Sequence, residues 1–128
     1  MRRLLLLLLV PLAVAAAAPA DAGGAESTCN FTVNPPFLYA PPGGTVISDV
    51  SVECFAPQRR IRIEATLTQD GAIAAATMRD CRKRSTCYVS TDASTNDVPG
   101  DQVWCTTASA SADGTFLGKE TVCETNDF

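Results

Sequence analysis

The sequence predicts an all-β protein, a single antiparallel β-sandwich of about seven strands that is immunoglobulin-like in the loose sense. Apolar and polar residues alternate with period two from Thr45 onward, as in "TVISDVSVEC", and Asp-Gly pairs interrupt the alternation. No 3.6-residue periodicity of the kind that indicates helices follows the first 20 residues. The only tryptophan, Trp104, lies beside Cys105, so the Cys…Trp…Cys spacing of antibody domains is missing. The pattern therefore predicts an architecture and no particular family.

The start of the chain has the three parts of a secretory leader. Arg2 and Arg3 form a charged start, an apolar leucine-rich run follows, and an alanine run supplies small residues for cleavage. We expect residues 1–20 to be a signal peptide, cut after Ala20 or two residues later after Ala22. The protein is then expected outside the cell.

The residues after the leader number 108 of the 128, enough for one domain and not two. A Pro/Gly-rich segment spans 21–44 and precedes the expected sandwich core, 45–128, to which Cys29 ties it. Within that segment, "NPPFLYAPPGG" cannot be a central strand, because its four prolines lack the amide hydrogen that a sheet ladder needs. We expect it to form an edge strand or a turn leading into Thr45.

Two hairpins are predicted, because Asp and Gly tolerate the positive φ of a two-residue turn. The first turns at Asp70-Gly71, and the second, from Val103 to Cys123, turns at Asp113-Gly114, with a short strand, "CYVSTD", between the two. Counting outward from Gln69 opposite Ala72 sets the cross-strand pairs of the first hairpin, which are Leu67 with Ala74, Ala65 with Ala76, Ile63 with Met78, Arg62 with Arg79 and Arg60 with Cys81.

Six cysteines follow the leader, and an even number in an oxidising compartment indicates three disulfides. We expect sequential pairing, since the members of each pair flank a predicted turn or a short gap. This pairing gives Cys29–Cys54, Cys81–Cys87 and Cys105–Cys123. The alternative keeps the middle bond, joins Cys54 to Cys105 between sheets and ties the termini through Cys29–Cys123.

The chain contains no histidine, which excludes Ser-His-Asp and Cys-His catalysis and histidine metal sites. The tight Cys-x-x-Cys spacing that is typical of zinc sites is also missing. A pair of carboxylates could still hydrolyse glycosides, but the 14 acidic residues are scattered along the chain. We therefore expect no enzyme, no cofactor and no bound metal.

Charges of opposite sign are separated along the sequence. Residues 55–84 carry seven bases and three acids, whereas 85–128 carry one base and seven acids. The acids Asp92, Asp97 and Asp101 are expected to neutralise some of the bases. The predicted hairpin register joins most of the bases into one candidate binding patch, which consists of Arg60, Arg62, Arg79, Arg82, Lys83 and Arg84.

These features predict a secreted, non-enzymatic binding protein whose partner is an anionic polymer or protein of the cell surface or extracellular material. The alternative is a serine protease inhibitor, in which "RDCRKRSTC" presents Lys83-Arg84 or Arg84-Ser85 to a trypsin-like enzyme in a loop braced by Cys81–Cys87. A nucleic-acid partner is not expected, because residues 21–128 have a net charge of −6 and no aromatics stand among the bases. No membrane contact is expected after removal of the leader.

The leader, with two arginines and long leucine and alanine runs, and the Ala/Thr/Ser-rich remainder resemble small exported proteins of high-GC actinobacteria. Secreted antibiotic-carrying apoproteins and protease inhibitors of such bacteria share this size and disulfide use. The resemblance implies an extracellular location. It rests on composition over the whole chain and assigns no functional residue.

Overall fold

The computed structural model describes residues 28–39, 44–94 and 100–126, which form strands and turns and no helix. The predicted signal peptide, 1–20, and its cleavage positions after Ala20 and Ala22 lie outside the described residues. All strand pairs are antiparallel, which confirms the predicted all-β class, with six strands among the described residues where about seven were predicted. The strands are β1 (Cys29–Val33), β2 (Phe37–Tyr39), β3 (Thr45–Gln69), β4 (Ala72–Ser94), β5 (Gln102–Ala112) and β6 (Thr115–Asn126).

Strand β3 is the centre of the sheet. It pairs with β4 along most of its length, and its first half also pairs with β1 and β2. Its second half, 61–69, pairs instead with β5, which in turn pairs with β6. The proline-rich segment supplies β2, which pairs with β3 alone, so the expectation of an edge strand is confirmed.

The two halves of β3 contribute to one hydrophobic core. Val50 and Val52 from the first half and Ile61 and Ile63 from the second are fully buried in the same cluster. Burial of such side chains is the main favourable term in folding, at about 1.5–3 kcal/mol for each. The two parts of the sheet therefore share a core, as a sandwich would require, while the immunoglobulin-like sandwich itself stays a prediction.

Both predicted Asp-Gly turns are present. Asp70 and Gly71 have φ values of 49° and 83°, and Asp113 and Gly114 have values of 47° and 79°. Positive φ at both central residues is the geometry that matches the twist of a hairpin's strands. The alternation and the turn residues were therefore enough to predict both hairpins.

The turn aspartates also extend the ladder between β3 and β5. At one end, the amide of Asp70 donates to the carbonyl of Val103 (2.9 Å), and the amide of Val103 donates to Asp70 Oδ1 (2.9 Å). At the other end, the amide of Asp113 donates to the carbonyl of Arg60 (2.9 Å), and the amide of Arg60 donates to Asp113 Oδ1 (2.9 Å). Each carboxylate takes the place of a strand carbonyl, which satisfies a backbone donor that would otherwise be lost.

The predicted register of the first hairpin is wrong by one residue beyond the turn. Thr68 lies opposite Ile73, but Leu67 lies opposite Ala75, so Ala74 is an extra residue in β4. A β-bulge of this kind moves every later residue by one position. The pairs in the structure are Leu67 with Ala75, Ala65 with Thr77, Ile63 with Arg79, Arg62 with Asp80 and Arg60 with Arg82.

The three disulfides of the structure are Cys29–Cys54, Cys81–Cys87 and Cys105–Cys123, which is the sequential arrangement. The first and third join residues that lie directly opposite each other in β1–β3 and β5–β6. The middle bond joins two residues of the same strand, β4. Three disulfides in so small a domain are typical of an oxidising compartment.

The aspartate at the second turn can be tested by substitution. We expect Asp113→Ala to lower the free energy of unfolding by about 1–2 kcal/mol. The substitution removes the acceptor for the Arg60 amide, and alanine has no polar side chain that could stabilise positive φ by a local hydrogen bond. Asp113→Asn keeps a side-chain oxygen and should be nearly neutral. Urea unfolding followed by the fluorescence of Trp104, which is 0% exposed, measures both variants. Equal stability of the two variants would contradict the proposed role of the carboxylate.

Candidate functional site

Strand β4 turns back on itself between Cys81 and Cys87. Six residue steps of extended strand cover about 20 Å, whereas the Cα atoms of the two cysteines lie 5.7 Å apart. Lys83, with φ of 55°, adopts the left-handed conformation that such a reversal needs. The stretch "RDCRKRSTC" is therefore part of β4 that loops outward, and not the connection before a separate strand "CYVSTD" that the sequence suggested.

Strand β3 bows outward together with β4. Val52 pairs with Cys87 and Ile61 pairs with Cys81, so the disulfide brings together two points that are nine residue steps apart on β3. Nine extended steps would cover about 30 Å, and paired Cα atoms lie only about 5 Å apart, so the intervening residues must project. We call this projection, residues 53–60 and 82–86, the basic corner.

The basic corner carries five exposed bases on its two strands. Arg60 lies directly opposite Arg82, and Gln58 lies directly opposite Arg84. Arg59 was not part of the predicted patch, although it stands next to Arg60 in the sequence and takes its place in the corner once the register is known. The five bases are Arg59, Arg60, Arg82, Lys83 and Arg84.

Arg60 is neutralised by a carboxylate on the neighbouring strand. Its Nε and Nη2 donate to the two oxygens of Asp80 at 2.9 and 3.1 Å. The hydrogen bond from Arg60 is the largest cause that lowers the pKa of Asp80, and the same bond raises the pKa of Arg60. This pair offsets the repulsion between Arg60 and Arg82, which are like charges directly opposite each other.

Two members of the predicted patch do not join the corner. Arg62 forms a salt bridge with Glu64 (Nη2–Oε1, 2.9 Å) on its own strand. Arg79 lies opposite Ile63, on the other face of β4 from Arg82, and its Nη1 donates to the carbonyl of Tyr88 (2.8 Å). The neutralising acids are Asp80 and Glu64, and the expected acids Asp92 and Asp101 form no salt bridge with these bases, while Asp97 lies outside the described residues.

Four bases of the basic corner form no salt bridge with the described residues, 28–39, 44–94 and 100–126. They are exposed on the projection that the Cys81–Cys87 bond closes at its base. An electropositive surface of this kind attracts anions in an ionic-strength-dependent way. The four bases are Arg59, Arg82, Lys83 and Arg84.

A groove at the opposite end of the first hairpin has a carboxylate in its wall. It has a volume of about 550 Å³, lies between the two ends of β4, and is lined in part by Ile73 and Asp92. Glycoside hydrolysis requires two carboxylates, and Asp92 is the only one among the described lining residues. The described lining of the groove therefore does not hold the carboxylate pair of a glycosidase.

The described part of the chain holds neither a cluster of metal ligands nor a membrane-spanning helix. It holds no group of three or more His, Cys, Asp or Glu side chains that could bind a metal ion. It also holds no helix that is long and apolar enough to cross a membrane.

Comparison with known proteins adds little to the geometry. No protein-family model matches this chain, and neither does any curated protein. Among solved structures, a β-glucosidase from Streptomyces venezuelae in complex with D-glucose is similar to 74% of this chain over 15% of its own length, with 12% identity and a TM-score of 0.36. A similarity at this level supports neither a shared fold nor a shared activity.

The Arg60–Asp80 pair predicts an acid-dependent change at the corner. The pKa of Asp80 is lowered from 3.8 in the folded protein, so its contribution to stability is present above pH 3.8 and is lost as the pH falls through the folded pKa. NMR titration of the carboxyl carbons should place Asp80 below 3.8 in the protein and closer to 3.8 in Arg60→Gln. Arg84→Gln also removes one positive charge, but Arg84 does not act on Asp80, so the pKa of Asp80 should stay as low as in the unsubstituted protein. An unshifted Asp80 in the unsubstituted protein would contradict the pairing.

Proposed function

We propose that the protein is a secreted, non-enzymatic binding protein that attaches to anionic cell-surface or extracellular material through the basic corner. One observation carries the proposal: Arg59, Arg82, Lys83 and Arg84 project together, and none of them forms a salt bridge with a carboxylate of the described residues. The predicted leader and the three disulfides support an extracellular location. An immunoglobulin-like sandwich would suit this role, because its loops and corners are displayed by a rigid core.

The basic corner is preorganised for an anionic partner. Cys81 and Cys87 are buried at its base, so the bases stand on backbone that is fixed before binding. A surface that is already held in its bound shape loses less conformational entropy on association. A polymer or surface that carries repeated negative charges can contact several of these bases at once, which a single small anion cannot do.

The protease-inhibitor alternative has less geometric support. An inhibitor loop lies extended along the enzyme's active site, where its backbone pairs with the enzyme. Lys83 instead has φ of 55°, and Arg82 and Arg84 are already paired with Arg60 and Gln58 in the sheet. The backbone of the Lys83-Arg84 and Arg84-Ser85 segments would have to leave β3 before an enzyme could bind it.

The electrostatic role is tested by salt elution from a sulfated-dextran column. We expect the variant R82Q/K83Q/R84Q to bind the polymer roughly 3- to 150-fold more weakly, because each exposed charge pair contributes roughly 0.2–1 kcal/mol. The control R62Q/R79Q/K119Q loses the same three charges outside the corner and should elute much closer to the unsubstituted protein. Equal retention of both variants, or no retention of the unsubstituted protein at low salt, would contradict the proposal.

The alternative is tested by titrating trypsin with the oxidised protein and measuring residual activity and intact mass. We expect no stoichiometric inhibition, because the loop is not extended. Cleavage after Lys83 or Arg84 would leave the two fragments joined through Cys81–Cys87 and would separate them only on reduction. Stoichiometric inhibition at sub-micromolar concentration with the chain intact would instead establish the inhibitor.

A further inference from the structure

We propose that the basic corner docks onto an anionic phospholipid bilayer, with Phe55 entering the headgroup region and the four unpaired bases lying against lipid phosphates. The inference rests on the proposed function, since it uses the same bases, and it specifies their partner. It departs from the sequence-based expectation of no membrane contact, because the exposure of Phe55 follows from the corner and not from the alternation of the sequence.

Phe55 is the most exposed large hydrophobic residue among those described. Its exposed fraction is 93%, against 74% for Ile73 and 67% for Phe116. Ala56 and Pro57, which follow it, are exposed as well. A phenylalanine side chain can bury about 150–250 Å² of surface, and moving this surface out of water lowers the free energy. The bend of β3 therefore carries a short apolar run, residues 55–57, with no apolar neighbour burying it, and we call this run the apolar tip.

The backbone at Phe55 is fixed by neighbouring groups. The residue before it, Cys54, is bonded to Cys29 of β1. The amide of Phe55 donates to the carbonyl of Thr28 at 2.7 Å. The side chain is thus held outside the core by a disulfide and a backbone hydrogen bond. Stable display of an aromatic side chain lowers the entropic cost of placing it in a partner.

The apolar tip and the bases project at the same end of the molecule. The register passes from the pair Glu53–Thr86 directly to the pair Gln58–Arg84, so residues 54–57 of β3 face a single residue, Ser85, of β4. Phe55 therefore lies within a few residues of Arg84 across the two strands and of Arg59 along its own. Aromatic side chains flanked by Arg and Lys are typical of segments that lie in the interface of an anionic bilayer.

A bilayer accounts for both parts of the corner, whereas the other anionic partners account for one. A sulfated or carboxylated polymer attracts the bases but offers no apolar phase for Phe55. An acidic protein would need a pocket that fits a convex tip. A bilayer surface adapts to a convex tip, and each base near anionic headgroups should strengthen binding by roughly fivefold at moderate salt.

Glu53 provides a second, opposite test of the contact. It is the one acidic residue of the basic corner and is exposed beside the apolar tip. Against lipid phosphates its charge is unfavourable. Glu53→Gln should therefore strengthen vesicle binding, by a few-fold, if the corner faces the bilayer.

The experiment is cosedimentation of the oxidised protein with vesicles of phosphatidylcholine alone or with 30% phosphatidylserine. We expect binding to the anionic vesicles only, an approximately tenfold loss in Phe55→Ala, and a larger loss in R82Q/K83Q/R84Q. Ile73→Ala removes a similarly exposed apolar side chain at the other end of the hairpin and should bind like the unsubstituted protein. The fluorescence of buried Trp104 checks that each variant is folded.

The sulfated-dextran column separates this inference from the proposed function. Phe55→Ala should keep its retention on the polymer, which offers nothing to the ring. Retention on the polymer without binding to anionic vesicles would overturn the bilayer inference and leave the proposed function standing. Vesicle binding that is unaffected by Phe55→Ala would also overturn it. The absence of both retention and vesicle binding would overturn the two together.

Discussion

The bond between Cys81 and Cys87 is the constraint on which the rest of the architecture depends. It closes β4 to 5.7 Å over a stretch that would otherwise be extended, and the partner strand β3 bows with it. On one side of the bend β3 pairs with β1 and β2, and on the other with β5. Because both cysteines are buried in the cluster that holds Val50 and Ile61, the bond lies where the two parts of the sheet meet. One covalent contact thus lies where both halves of a single long hairpin contribute residues to one core.

The same bend has an electrostatic consequence. Residues expelled from the core at a bend must tolerate water, and this chain places bases there on both strands. A bend needs only polar residues, and serine, threonine or mixed charges would serve equally well. Four bases that form no salt bridge project together here, whereas Arg60 at the base of the corner and Arg62 beyond it each form one. The concentration of four bases without salt bridges on one projection supports a role in binding.

Sequence patterns predicted the parts of this fold that depend on neighbouring residues. The Asp-Gly turns follow from positive φ, and the edge position of β2 follows from prolines that cannot donate to a ladder. The bend was not predictable in the same way, because "RDCRKRSTC" is compatible with a turn between two strands as well as with a loop inside one. The exposure of Phe55 and the place of Arg59 depend on the bend, so neither could be inferred before it was known. Alternation reports which face a residue takes only while the strand stays regular.

The bulge at Ala74 shows how register could have been predicted from burial. In the unbulged register Asp80 would lie opposite Ile61, which is fully buried, and Cys81 would lie opposite exposed Arg60. A carboxylate facing the core carries a desolvation cost that an extra residue in a turn-proximal alanine run avoids. The shift places Cys81 inward, where it can meet Cys87, and turns Asp80 outward to Arg60. It also exchanges Met78 for Arg79 opposite Ile63, which is tolerable because β4 is an edge strand and Arg79 reaches the carbonyl of Tyr88. The alanines of the run supply no side chain that opposes the shift, so the charged and sulfur-bearing residues beyond them determine the register.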